Sequence, residues 1–167
     1  KSLPELVVPV RPGADDVMEL EYPMGESPRL WDEFAPNLYR LEATLETGGS
    51  DNGQETGAIV EASAVFGMRA LAADGTRFTI NGRPAFLRGT LECCIFPLTG
   101  YPPMSVEPWR RILRVARAHG LNHVRFHSWC PPRAAFVAAD ELGFMFHVEC
   151  AAWTHVDAAW AGPLRLT

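Results

Sequence analysis

The chain has 167 residues, 47% of them hydrophobic and 21% charged, with a net charge of −5. That is the size of one domain or of parts of two; the composition excludes a disordered chain, and the acidic balance argues against nucleic acid or an anionic membrane as a partner. No apolar run reaches the roughly 20 residues that a membrane-crossing helix needs.

Charge divides the chain. Residues 1–61 carry 13 acids against 4 bases, and residues 62–167 carry 7 acids against 11 bases. Such asymmetry points to two regions of different character. Residues 1–37 are rich in Pro, Gly and acids, with one short predicted strand, Val17–Tyr22, before a loop from Pro23 to Asn37. Leu38–Thr47 alternates strictly, with Tyr39, Leu41, Ala43 and Leu45 on one side and Arg40, Glu42, Thr44 and Glu46 on the other. A period of two marks a half-buried antiparallel strand. A polar tip, Gly48–Gly57, separates it from a returning strand, Ile59–Ala70, and the pair reads as part of a β-sandwich. Asp74-Gly75 predicts a turn, and Asn81-Gly82 between Phe78–Ile80 and Pro84–Leu87 predicts a two-residue hairpin.

The hydrophobic period then changes. From Pro108 to His119, Trp109, Ile112, Leu113 and Ala116 form a helical stripe, with Arg110, Arg111, Arg114 and Arg117 off it as a solvated face. Ser105 suits the N-cap and Gly120 the stop. A strand at 121–127, a helix at 132–142 ended by Gly143 and a strand at 144–149 follow. With a strand at 86–91 in front, single helices between strands imply parallel βαβ units.

In such folds the chemistry sits at the C-terminal ends of the parallel strands. Glu92, Cys93 and Cys94 stand there after the first strand, Arg125, His127, Ser128 and Trp129 at the second, and Glu149, Trp153 and His155 at the third. Carboxylates and a guanidinium bind sugar hydroxyls, and tryptophan offers a flat face to the ring's C–H groups. Arg125 and Glu149 are expected to pair, with Glu92 near enough to compete for the arginine. Trp129, ahead of Cys130-Pro-Pro, suits either a pocket wall or a lid on the core. His123 and His147 are expected to be packing residues inside their strands. His127, Cys130, Cys150 and His155 match no zinc spacing, so no metal and no cofactor are expected. The four cysteines include no C-x-x-C pair and are expected to be buried as small hydrophobes. Serine-nucleophile, P-loop and dinucleotide motifs are absent from the sequence.

Five segments in order resemble glycoside hydrolase family 2, the family of β-galactosidases, β-glucuronidases and β-mannosidases. They are Trp31 with Pro36-Asn-Leu-Tyr39, Phe66-Gly-Met-Arg69, Phe78-Thr-Ile-Asn-Gly-Arg-Pro-Ala-Phe-Leu-Arg-Gly89, Gly120-Leu-Asn-His-Val-Arg125, and Asp140-Glu-Leu-Gly143 with Val148-Glu149. The resemblance implies an immunoglobulin-like β-sandwich portion over residues 1–72 and the first three βα units of a (β/α)8 TIM barrel over 73–167. It implies a retaining mechanism with two glutamates, an acid/base in an Asn-Glu pair after the fourth strand and a nucleophile near the seventh. No Asn-Glu dipeptide occurs in this sequence, so both are expected beyond Thr167. The substrate-binding residues expected here are Glu92, Arg125, His127, Trp129, Glu149 and Trp153, with a carbohydrate as the partner; a homo-oligomer is open to the full-length protein. Thr90-Leu-Glu-Cys-Cys94 and Phe126-His-Ser-Trp-Cys-Pro-Pro132 depart from the usual family patterns, which leaves the sugar unassigned. The competing reading is a non-catalytic carbohydrate-binding or interaction module with the same binding face; an open three-stranded parallel sheet argues against its completeness.

Overall fold

The computed structural model describes residues 3–10, 18–47, 50–51, 54–55 and 58–149. Strands β1 (Tyr39–Thr47), β2 (Ser50–Asp51), β3 (Gln54–Glu55) and β4 (Ala58–Phe66) come first. β1 and β4 pair antiparallel from Tyr39 opposite Phe66 to Thr47 opposite Ala58, as the alternation predicts. The pairing gathers Leu41, Leu45, Val60 and Phe66 on one side, and all four are exposed among the described residues. β2 and β3 pair across the polar tip. The expected strand at 17–22 does not form over its described part, residues 18–22. Alternation alone is insufficient there, because a strand exists only by pairing with a neighbour.

The returning strand ends at Phe66, short of the expected Ala70. At Gly67 the chain crosses Trp31 so closely that a Cβ would sit 3.0 Å from the tryptophan side chain. β5 (Leu71–Asp74), β6 (Arg77–Ile80) and β7 (Arg83–Ala85) then form an antiparallel meander. The β6–β7 turn has Asn81 at φ 53° and Gly82 at φ 75°, the two left-handed residues of a type I′ turn, whose twist matches the strands it joins. The Asn81 side chain also accepts from the Ala70 amide at 2.9 Å and donates to the Trp31 carbonyl at 3.0 Å.

The last part alternates β8 (Gly89–Glu92), α1 (Val106–Ala118), β9 (His123–Phe126), α2 (Arg133–Leu142) and β10 (Met145–Val148). β9 lies between β8 and β10 and is parallel to both, as expected of consecutive βαβ units. Trp109 and Leu113 of α1 pack with Val124 and Phe126 of β9 and with Phe144, just ahead of β10. Four alanines of α2, Ala134, Ala135, Ala138 and Ala139, complete that core. Their small side chains keep the helix close to its neighbours. The arginines of α1 are not simply solvated. Arg110 grips Glu141 of α2 through two bonds of 2.6 and 2.7 Å, and Arg117 donates to the Leu142 carbonyl at 2.7 Å. Ser105 occupies the N-cap position, but its side chain makes no cap bond.

The loop at Trp31–Glu33 docks on the N-terminal ends of the parallel strands. Trp31 is 2% exposed, and its indole N–H donates to the Asp140 carbonyl at 2.7 Å. The Arg69 guanidinium lies 4.8 Å from the centre of its ring. The Glu33 carboxylate accepts from Arg88 at 3.1 Å and from the Asn122 side chain. Beneath it, Gly143 ends α2 at φ 72°, and a Cβ there would stand 2.7 Å from the Glu33 carbonyl oxygen.

That geometry separates two glycines with similar backbones. Gly120 has φ 81° and open space where a Cβ would go. Gly120→Ala should cost about 1 kcal/mol, the left-handed penalty alone. Gly143→Ala adds a collision with the backbone of Glu33 and should cost clearly more. Urea midpoints of the two variants check this, and equal losses would mean that the Glu33 loop does not bear on Gly143.

Candidate functional site

Val124 and Phe126 of β9 are buried, so alternation sends Arg125 and His127 to the opposite face, where both are exposed. The register places Leu91 and His147 beside Arg125 on that face. Hydrogen bonding continues past the strand ends. The His127 amide donates to the Glu92 carbonyl at 2.8 Å and the Glu149 amide to the Phe126 carbonyl at 3.4 Å. Cys93, His127 and Glu149 therefore form the rim of this face, with Arg125 one step below.

Glu149 is held from two sides. An Arg125 guanidinium N–H donates to one carboxylate oxygen, the contact expected from the sequence. The Ser128 amide donates to the other at 2.6 Å, with the Ser128 hydroxyl at 3.4 Å. Ser128 has φ 63°, a left-handed conformation uncommon for a residue with a Cβ. These bonds hold the Glu149 carboxyl below the usual carboxylate range, the Ser128 amide being the largest cause, with Arg125 and His127 adding to it. The result is an ionised acceptor fixed beside a guanidinium whose side chain is 47% exposed. This arrangement can take a polyhydroxylated ligand, with Glu149 accepting from one hydroxyl and Arg125 donating to a neighbour.

Other expected residues lie elsewhere. Glu92 does not approach Arg125. Its register partner is Phe126, and its carboxylate accepts from the amides of Cys94 at 2.9 Å and Ile95 at 3.1 Å. It shapes the turn after β8, and parity gives the place beside Arg125 to Leu91. Trp129 is a lid on the core. Its ring meets Phe126 edge-on at 5.3 Å, and its indole N–H points at the Glu92 carbonyl at 3.4 Å. His147 is exposed on the open face rather than packed, whereas His123 is half-buried over Gly89. Burial, followed by the nearby His147, lowers the His123 pKa. Cys93 and Cys94 are exposed free thiols and Cys130 is exposed too, contrary to the buried role expected of all three. Trp153, Cys150 and His155 lie outside the described residues.

The sequence places Cys93 and Ser128 at the functional strand ends without giving either a binding role, and it gives His147 a packing role; the structure adds all three to the site. Gly89 and Leu91 share the parity of Cys93, and that pattern was the available signal. Among the described residues, no group of three or more His, Cys, Asp or Glu side chains is placed to hold a metal ion. A shallow recess of about 220 Å³ opens at the other end of the sheet. Its polar lining, Glu33, Arg88, Arg117 and Asn122, is engaged in the docking contacts described above.

No family model matches the chain. The chain is 29% identical over 130 residues to a β-galactosidase of Lactococcus lactis, a match covering 77% of this chain and 12% of that protein. Among solved structures, the β-glucuronidase of Parabacteroides merdae superimposes with a TM-score of 0.58 at 27% identity, over 75% of this chain and 15% of that one. A glycosyl hydrolase family 2 member from Bacteroides cellulosilyticus superimposes with a TM-score of 0.58 at 23% identity, over 78% and 16% of the two chains. The chain thus spans only a small part of the proteins it matches.

The two holds on Glu149 can be separated. Its depressed pKa means that its stabilising contacts are complete above the unfolded value of about 4.3 and are lost as pH falls through the lower folded value. In a carboxyl-carbon NMR titration, Glu149 should titrate below that value. Arg125→Met should raise it only part of the way, because the Ser128 amide remains. Full return to the ordinary value in Arg125→Met would transfer the leading role to the arginine.

Proposed function

We propose that this glycoside hydrolase family 2-like chain is an internal segment of a retaining β-glycosidase, and that it builds one wall of the sugar site without supplying the catalytic glutamates. The observation that carries the reading is the clamped Arg125–Glu149 pair, set at the C-terminal ends of parallel strands on a face left open to solvent. A partly exposed ion pair contributes little as stabilisation alone, since solvent screens much of its attraction. As a preorganised donor and acceptor for hydroxyls, the pair needs no rearrangement when a sugar arrives.

Two further features support the finer architecture. The uncovered apolar face of β1 and β4 suits one layer of an immunoglobulin-like sandwich over residues 1–72. The three parallel strands, open on one face and helix-covered on the other, suit the start of a TIM barrel over 73–167. A retaining glycosidase works with two carboxyl groups roughly 5 Å apart, one protonating the leaving oxygen and the other forming the glycosyl intermediate. Glu149 is unsuited to the acid role, because its contacts favour the ionised form. The substrate class is a β-linked glycoside; the relatives named above act on galactosides and glucuronides by their names. His127 joins the binding wall, and Trp153 remains its aromatic candidate.

The 167-residue chain alone should not cleave aryl β-galactosides, β-glucuronides or β-mannosides. In the full-length protein, Arg125→Ala should lower kcat/KM by about 10²-fold or more, the scale of a lost preorganised donor. Its melting temperature should move little, because a partly exposed ion pair contributes only about 0–1 kcal/mol. Activity and stability lost in proportion would make the pair structural and remove the sugar site from this face.

A further inference from the structure

The face that carries Arg125 also carries a thiol. Cys93 follows the last residue of β8 and shares the parity of Gly89 and Leu91, which places it on the open side. It is exposed, and its Sγ lies 3.8 Å from His127 Nδ1. Backbone contacts set this spacing. The bond from the His127 amide to the Glu92 carbonyl extends the β8–β9 ladder one residue beyond β9. The Glu92 carboxylate then fixes the following turn through the amides of Cys94 and Ile95. Cys94 is also exposed and has a left-handed backbone at φ 59°, and its thiol makes no hydrogen bond to a ring nitrogen among the described residues. Two adjacent thiols thus differ chiefly in whether an imidazole stands beside them.

We propose that Cys93 and His127 form a thiol–imidazole couple that makes Cys93 a modification site for soft carbon electrophiles. In the tautomer with Nδ1 unprotonated, His127 takes the thiol proton as Sγ attacks the electrophilic carbon. The S–C bond forms, the carbon–halogen bond of a haloacetamide breaks, and the halide leaves with the bonding pair. The imidazolium then returns its proton to water. Neither partner changes oxidation state beyond this displacement, and no cofactor enters. The adduct stands on the same rim as Glu149, across β9 from it, so under the sugar-site reading of this face it obstructs substrate entry. That consequence rests on the proposed function; the reactivity itself does not.

The experiment is timed alkylation of the full-length protein by iodoacetamide at neutral pH, with fragment-ion mass spectrometry resolving Cys93 from Cys94. Cys93 should react about tenfold faster than Cys94, a modest share of the gain that a positioned general base provides. His127→Ala should remove that advantage while leaving the Cys94 rate unchanged, which also reports that the rim is still folded. Glycosidase activity should decay at the rate of Cys93 labelling, and the activity that Cys93→Ala retains should resist the reagent. Equal rates for the two cysteines in the unaltered protein, or a Cys93 rate indifferent to His127→Ala, would overturn the couple. Selective labelling with full activity retained would uphold the couple and count against the sugar-site reading instead.

Discussion

The docking of Trp31 and Glu33 on the end of α2 is the contact on which the sheet geometry depends. A helix leaves its last carbonyls without partners inside the helix. In α2 two of these are met from other parts of the chain and one locally. The Asp140 carbonyl takes the Trp31 indole, the Leu142 carbonyl takes Arg117, and the Ala139 carbonyl takes the Phe144 amide. Glu33 lies over Gly143 so closely that only hydrogen fits at the Cα. The turn that launches β10 is therefore fixed by residues more than a hundred positions earlier. Since β10 carries the chain to Glu149, the same contact sets how far the carboxylate stands above the sheet.

The two ends of the parallel sheet are built on different principles. At the docking end, Glu33, Arg88, Asn122 and Arg117 satisfy one another, and the end is closed to further chemistry. At the other end, backbone groups do the positioning. Ser128 and Cys94 both adopt left-handed conformations, each at a cost of about 1–2 kcal/mol. In return the Ser128 amide aims at Glu149, and the Cys94 amide meets Glu92. Strain of this kind persists where surrounding bonds over-determine it, and it collects at sites that must hold a geometry. The glutamates are thus fixed while Arg125 and His127 stay exposed.

The helices, their glycine stops, the Asn81-Gly82 turn and the parallel order of the last three strands were legible from periodicity, since those signals are local. The placement of Glu92 was not. β8 runs through Glu92, one residue past the expected end at Leu91, so Glu92 is still in the ladder, opposite Phe126. Side chains alternate along a strand, and the place beside Arg125 falls to Leu91. His147 was assigned to packing because it lies within a strand. Which face of a parallel sheet carries polar residues depends on where the helices settle, and the strand's own sequence does not encode that. Trp129 left two readings open, and the nearby rings of Phe96 and Phe126 decide for the core.

The central position of β9 explains why the site gathers around Arg125. A strand paired on both sides is held by two ladders, whereas β8 and β10 are each held by one among the described strands. Arg125 and His127 therefore stand on the best-constrained backbone. Their partners arrive from opposite neighbours, Cys93 from the β8 side and Glu149 from the β10 side. A shift of β8 would open the Cys93–His127 contact and leave Glu149 clamped. A shift of β10 would release Glu149 and leave the thiol contact intact. Parallel sheets exposed at both edges are rare, because unpaired edges and an uncovered face are costly in water. Continuing the sheet on both sides would hold β8 and β10 in place and give the two halves of the rim one fixed spacing.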